Sequence, residues 1–263
     1  MNAYFFQQDF YATRYNCSAY SQEEWQSFGK KKPFLGACFI MIGVVTQVIY
    51  VPFLFGMMQK KFRDMSCYKI MFYLGILDVG NIVGGTLITG YLTWHGAVFC
   101  SHPGLIYFAG CFGVASWCAA CLTCVLLAFN RCVDFARSDL SDTMFGGYKT
   151  WIWLLLPTVY FLAVSFYEMP VIYNSEFVAW FYDPFIGVPI HYDYDYSNTT
   201  HAINNIAVIF ILCAENAFLC HNIFKLSGHL SSSIKRKRQV TNWMGRKIPA
   251  FHCESPFCLE YCA

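Results

Sequence analysis

Apolar residues fall into five long blocks along this chain, and short polar segments between the blocks hold nearly every charge. Residues 33–58 and 103–129 are runs of 26 and 27 residues without one charged side chain. At about 1.5 Å of rise per helical residue, either run exceeds a hydrocarbon core roughly 30 Å thick. Residues 70–93 form a second block, interrupted by Asp78 and Asn81 and rich in glycine. Residues 151–173 carry Pro157, Glu168 and Pro170, and residues 206–224 contain Glu215 and Asn216, which makes that block the weakest. Gly80 and Gly84 have the small-xxx-small spacing that lets membrane helices approach closely, a spacing too common to name a partner. Beyond Lys225 no window approaches the ~20 apolar residues of a span. The pattern predicts an all-α, polytopic bundle with five transmembrane helices. It is preceded by a polar, aromatic tail over residues 1–32 and followed by a cytoplasmic tail over 225–263.

Composition narrows the class. The chain is 57% apolar and 13% charged, where soluble domains carry about 25% charged residues. An ordinary soluble domain is therefore excluded, and the lipid bilayer becomes the first partner. Seven of the fourteen cysteines (Cys38, Cys111, Cys118, Cys121, Cys124, Cys213, Cys220) lie inside apolar runs and read as small packing residues. No cleavable signal peptide is visible before Lys30, so the first span is expected to direct membrane insertion.

Charge placement orients the bundle. The segments after the first, third and fifth spans hold 4, 3 and 7 Lys/Arg, or 14 of the 18 in the chain, and the segments after the second and fourth hold none. The positive-inside bias predicts an amino terminus outside, with Lys30–Lys31–Lys32 as the opposing signal. Asn16-Cys17-Ser18 and Asn198-Thr199-Thr200 match the glycosylation acceptor pattern, so Asn16 and Asn198 are candidate sites on the same outer side. Cys100 then needs an outer partner. The loop over residues 174–200 has no cysteine, and Cys17 is the other cysteine expected outside and clear of the bilayer. A Cys17–Cys100 disulfide is expected, two free thiols being the alternative.

Several residues group into a recognisable set: Tyr15-Asn16-Cys17-Ser18, Trp25, Cys67-Tyr68-Lys69-Ile70-Met71 and Leu77-Asp78. Gly96, Phe99-Cys100, Pro103, Trp117, Asn130-Arg131, Trp180-Phe181, Asp183-Pro184 and Asn204-Asn205 belong with them. Over roughly residues 15–238 this set resembles the nematode chemosensory receptors called serpentine receptor class T. The resemblance implies a rhodopsin-like, seven-helix fold in the plasma membrane of sensory cilia. It also implies an unknown small-molecule ligand and coupling to a heterotrimeric G protein. Members of that class continue from a basic segment like Lys235-Arg236-Lys237-Arg238 into a sixth and a seventh helix. Here residues after about 239 depart from the class pattern, and a chain truncated after its fifth helix is expected. Such a chain would bind poorly and not signal.

The resemblance also ranks candidate residues. Asp78, with Asn81, is expected to form an intramembrane polar network, the plainer alternative being a carboxylate hydrogen-bonded to Asn81 or a nearby backbone group. Asn130 and Arg131 close the third span where rhodopsin-like receptors carry an acidic-Arg-Tyr triplet, so they are the candidates for G-protein coupling. An arginine snorkelling to lipid headgroups explains Arg131 equally. Trp180, Phe181 and Tyr182, with Trp117 from the third span and other aromatics such as Tyr192 beside Asp193, are the ligand-pocket candidates. Interfacial anchoring accounts for the same aromatics without a ligand.

The chain has no metalloprotease, hydrolase, P-loop or dinucleotide fingerprint, so catalysis has no support. His252-Cys253 with Cys258 and Cys262 lacks paired C-x-x-C spacing, and neither a metal nor a cofactor is expected. Lys235–Arg238 reads as a membrane-proximal basic stretch attracted to anionic lipid, not as a nucleic-acid contact. Two rivals stand: a transporter or channel subunit, which would need internal repeats around midplane charges, and a non-signalling five-helix membrane protein.

Overall fold

A computed structural model describes residues 1–190 and 194–230, with side chains up to residue 224. Tyr192 and Asp193 of the aromatic loop, the basic run 235–238 and the Cys/His tail lie outside the described residues. Five helices are long and apolar enough to span a bilayer, as the apolar blocks predict. They are α4 (Pro33–Met57), the composite Ser66–His95, α8 (Pro103–Ala136), α10 (Lys149–Tyr167) and α11 (Thr199–Leu230). Three short helices precede them, α1 (Asn2–Phe6), α2 (Gln8–Arg14) and α3 (Gln22–Ser27), and α5 (Lys60–Arg63) and α9 (Ser138–Phe145) sit in connections at the opposite end.

The helix ends depart from the apolar blocks for local reasons. α8 runs seven residues past Phe129, to Ala136, because 130–136 contains neither glycine nor proline and nothing interrupts its hydrogen bonds. α10 stops at Tyr167, six residues short of its block. Glu168 is already extended, and Pro170 disfavours helix in the residue before it. The chain then forms a two-stranded hairpin, β1 (Ile172–Asn174) against β2 (Ala179–Phe181), with Tyr173 opposite Trp180. α11 begins at Thr199 because Asn198 caps it: Asn198 Oδ1 accepts from the backbone N–H of His201 at 2.8 Å.

The second span is not one α-helix. α6 (Ser66–Ile82) widens into a π-helical turn over Val83–Ile88 before continuing as α7 (Thr89–His95). Gly84 and Gly85 sit in that turn, and the Thr89 hydroxyl donates to the Gly84 carbonyl at 2.9 Å. Of the Gly80/Gly84 pair only Gly80 meets a neighbour, a Cβ there lying 2.7 Å from the Phe112 ring of α8, and backbone-to-backbone approach is made by other glycines. A Cβ on Gly36 of α4 would lie 2.6 Å from the Gly90 carbonyl of α7, whereas Gly84 faces open space.

The hairpin end has its own core. Trp25, Tyr15, Leu92, Phe99, Tyr107, Ile172, Tyr173 and Phe185 pack together there. The Trp25 indole donates to the Cys17 carbonyl at 2.9 Å, and Cys17 and Cys100 are joined by a disulfide. Tyr4 and Tyr11 of the amino-terminal helices stack edge-on against Phe108 and Tyr107 of α8. Two hydroxyl contacts tie the hairpin to α7: Tyr173 with Thr93 at 2.6 Å, and Trp180 Nε1 donating to Thr89 Oγ1 at 3.0 Å.

Candidate ligand site and the opposite face

A polar cluster lies among α8, α10, α11 and the end of the hairpin. Trp117 of α8 donates from its indole nitrogen to Asn205 Oδ1 at 3.0 Å. Asn204 Nδ2 donates to the same oxygen at 3.2 Å, and Tyr160 of α10 donates to Asn204 Oδ1 at 3.1 Å. Asn205 Nδ2 lies 3.3 Å from His201 Nε2, and His201 Nδ1 lies 2.6 Å from the Tyr182 hydroxyl. Three helices and the hairpin loop thus share one hydrogen-bonded chain. It rests on an apolar floor of Val114, Ala115, Cys118 and Val164. Burial pushes the Tyr182 phenol well above its ordinary pKa, with Cys118 and Glu168 adding to the shift. Tyr182 therefore keeps its hydroxyl hydrogen at neutral pH.

The four ligand-pocket candidates do not form one set. Trp117 and Tyr182 belong to this cluster. Trp180 turns the other way, to Thr89 and the Tyr173 ring, and Phe181 packs edge-on against Phe177 within the loop. Strand alternation separates Trp180 from Phe181, because successive side chains of β2 point to opposite faces, and Tyr182 follows in a bend past the end of β2. His201, Asn204, Asn205 and Tyr160 are participants that the sequence did not single out for a pocket. The Asn204-Asn205 pair was the available signal, since two adjacent amides at the start of an apolar helix need partners.

Asp78 pairs with α4, not with Asn81. Tyr50 donates to Asp78 Oδ2 at 2.6 Å, and Gln47 donates to the Val79 carbonyl at 2.8 Å one turn away. Asn81, although three residues on, makes no side-chain hydrogen bond to Asp78 among the described residues. The carboxylate needed a donor, and a phenol across the helix interface is a stronger one than an amide on its own helix.

At the other end the expected coupling pair separates. Asn130 is 1% exposed, and its Nδ2 donates to Ser66 Oγ at 3.1 Å, holding α8 to the start of α6. Asn130 is thus a buried tie between α8 and α6, while Arg131 beside it in sequence is less enclosed. Arg131 is half-buried within α8, not at its end, and reaches Met71 Sδ at 3.7 Å. A cleft of about 490 Å3 among α8, α9 and α11 is lined by Phe129, Cys132, Val133, Leu140, Glu215 and Phe218. Glu215 Oε2 is buried there without a hydrogen-bond partner among the described residues.

The two sequons also differ. Asn16 is partly exposed, its Oδ1 accepting from the Ser18 N–H at 2.8 Å. Asn198 is 8% exposed, spends Oδ1 on the cap of α11 and turns Nδ2 toward the Met169 carbonyl at 3.4 Å. The Asn198 amide is thus enclosed and engaged in the fold, whereas that of Asn16 is partly open.

Residues 1–253 match the family described as serpentine type 7TM GPCR chemoreceptor Srt. The matched stretch extends past both ends of the resemblance seen in the sequence. The serpentine receptor class T-55 of Caenorhabditis elegans is 28% identical over 209 residues, covering 79% of this chain and 56% of that protein. The chain thus spans little more than half the length of that relative. No solved structure matches. With five apolar helices, a shared polar cluster next to the hairpin and a family match over nearly its whole length, this integral, multi-pass membrane chain belongs to the Srt family of serpentine chemoreceptors.

Proposed function

We propose that the chain is the ligand-sensing part of a chemosensory, G-protein-coupled receptor of class T, oriented with its amino terminus outside the plasma membrane of a sensory cilium. The observation that carries this reading is the chain of hydrogen bonds from Trp117 through Asn205 and His201 to Tyr182. A small molecule seated among these groups contacts α8, α11 and the hairpin loop together. Displacing one partner shifts the others, and α8 carries the shift to Arg131 about 21 Å away, taking 14 residues at about 1.5 Å each. Arg131 and the cleft beside Glu215 are the G-protein-facing surface of this reading, with Asn130 as a structural tie.

Orientation rests on the sequence count of 14 Lys/Arg in the segments after the first, third and fifth spans. The opposing lysines find local partners at the hairpin end, which weakens their objection: Lys30 Nζ lies 3.8 Å from Glu176 Oε1, and Lys32 Nζ donates to the Glu176 carbonyl at 2.7 Å. The disulfide supports the same side, since such bonds persist in oxidising compartments.

A cell assay tests the reading. The chain, extended to the length of its class T relative, is expressed with a G protein and exposed to a broad odorant panel, with second messengers recorded. At least one compound should raise the signal, and Trp117→Ala should remove that response. An extended receptor that reaches the surface and stays silent to every compound would refute coupling.

A further inference from the structure

We infer that Tyr182 offers an uncommitted hydroxyl hydrogen to a ligand with an apolar body and a single acceptor oxygen, such as a ketone or an ester; the inference rests on the receptor reading above. The Trp117 indole nitrogen only donates, and it lies 3.0 Å from Asn205 Oδ1. That fixes which end of the Asn205 amide is oxygen. The same oxygen also accepts from Asn204 at 3.2 Å, so its two lone pairs are occupied.

The NH2 end of Asn205 therefore faces His201, with Nε2 at 3.3 Å. An amide nitrogen cannot accept, so Nε2 must be the unprotonated nitrogen of a neutral imidazole. The proton then sits on Nδ1, which points at the Tyr182 oxygen 2.6 Å away. Nδ1–H donates and the Tyr182 oxygen accepts. The tyrosine's own hydrogen is left without an acceptor among the described residues. Below it lie Val114, Ala115, Cys118 and Val164, which suit hydrocarbon. A lone donor above an apolar floor selects an uncharged molecule with one acceptor.

Glu168 is the competitor, as the only carboxylate whose charge reaches Tyr182 among the described residues. A site organised around it would favour an ammonium ligand, so the test separates the two.

The full chain is placed in lipid nanodiscs with 15N-labelled histidine, and the His201 ring signals are assigned by their loss in His201→Asn. A proton on Nδ1 is expected. A proton on Nε2, or on both nitrogens, overturns the inference whatever the chain signals. Saturation-transfer NMR then compares 2-heptanone, heptane and heptylamine. Saturable binding of 2-heptanone is expected, weakened about 3- to 10-fold by Tyr182→Phe, the worth of one neutral hydrogen bond. Heptane uptake should not change. Absence of saturable ketone binding overturns the inference. So does heptylamine binding more tightly than the ketone and being lost in Glu168→Gln. A ketone that binds as expected but leaves the extended receptor silent upholds the donor and counts against coupling alone.

Discussion

His102 shows how one residue couples the folded hairpin end to pH. It precedes α8, with Nδ1 3.0 Å from Ser101 Oγ. Burial, and then the neighbouring His95, lower its pKa from 6.5. The fold thus favours the neutral ring. Its contribution is complete above about pH 6.5 and is lost as pH falls through the lower, folded value. Thermal melts in detergent should show stability dropping between pH 7 and 5, with a shallower slope for His102→Gln. An unchanged slope would mean that other groups set the acid response. Glycan acceptance is also decided residue by residue. Peptide-glycosidase treatment should shift the electrophoretic mobility of the wild-type chain and of Asn198→Gln, and leave Asn16→Gln unmoved. A shift that survives in Asn16→Gln and disappears in Asn198→Gln would reverse the assignment and with it the buried cap.

At the scale of elements, the contacts that matter most are those where backbone meets backbone. A Cβ on Gly110 of α8 would run into the Val171 carbonyl leading into β1, whereas Gly113, on the same helix, meets nothing. Gly110→Ala should cost about 1–3 kcal/mol, the usual price of overpacking, and Gly113→Ala should be close to neutral. Melting temperatures of the two variants check this, and equal melting temperatures would mean the hairpin can back away from α8. The disulfide acts at the same scale, linking residues 83 apart in sequence. Removing it with Cys17→Ser should destabilise the hairpin end by about 2–4 kcal/mol, and Cys38→Ser, a thiol within α4, should not. A reductant titration followed by melting measures both. Reading elements from the chain succeeded where apolar runs were long. It missed the π turn, because a glycine pair in an apolar block leaves the same hydropathy whether the turn closes on the fourth residue or the fifth. It also missed the hairpin, whose three-residue strands are too short to show a period of two.

For the whole molecule, α8 is the axis. More than half of its apolar window is buried, against 11% for α4 and 6% for α11, so α8 is wrapped by the other described residues while α4 and α11 are left largely uncovered by them. The intramembrane pair Tyr50–Asp78 is one tie holding α4 to this core. Tyr50→Phe leaves the carboxylate without its donor and should cost about 1–3 kcal/mol. Co-purification with partial proteolysis checks it, since α4 should become the first span released.

Length and charge pattern alone determined the five spans and the basic segments that follow the first, third and fifth of them, because a bilayer demands runs of fixed length whatever the helices do next. The same one-dimensional pattern made Cys17 and Cys100 partners by leaving few others on that side. Only the tertiary structure decided which polar groups meet. Asp78 went to Tyr50, Asn130 to Ser66, and Trp117 to Asn205 instead of to Trp180 and Phe181. Inside an apolar medium each polar group must be satisfied by whatever helix rotation and crossing bring near, and those angles are set by packing between distant segments. Nothing in the local order of residues records them.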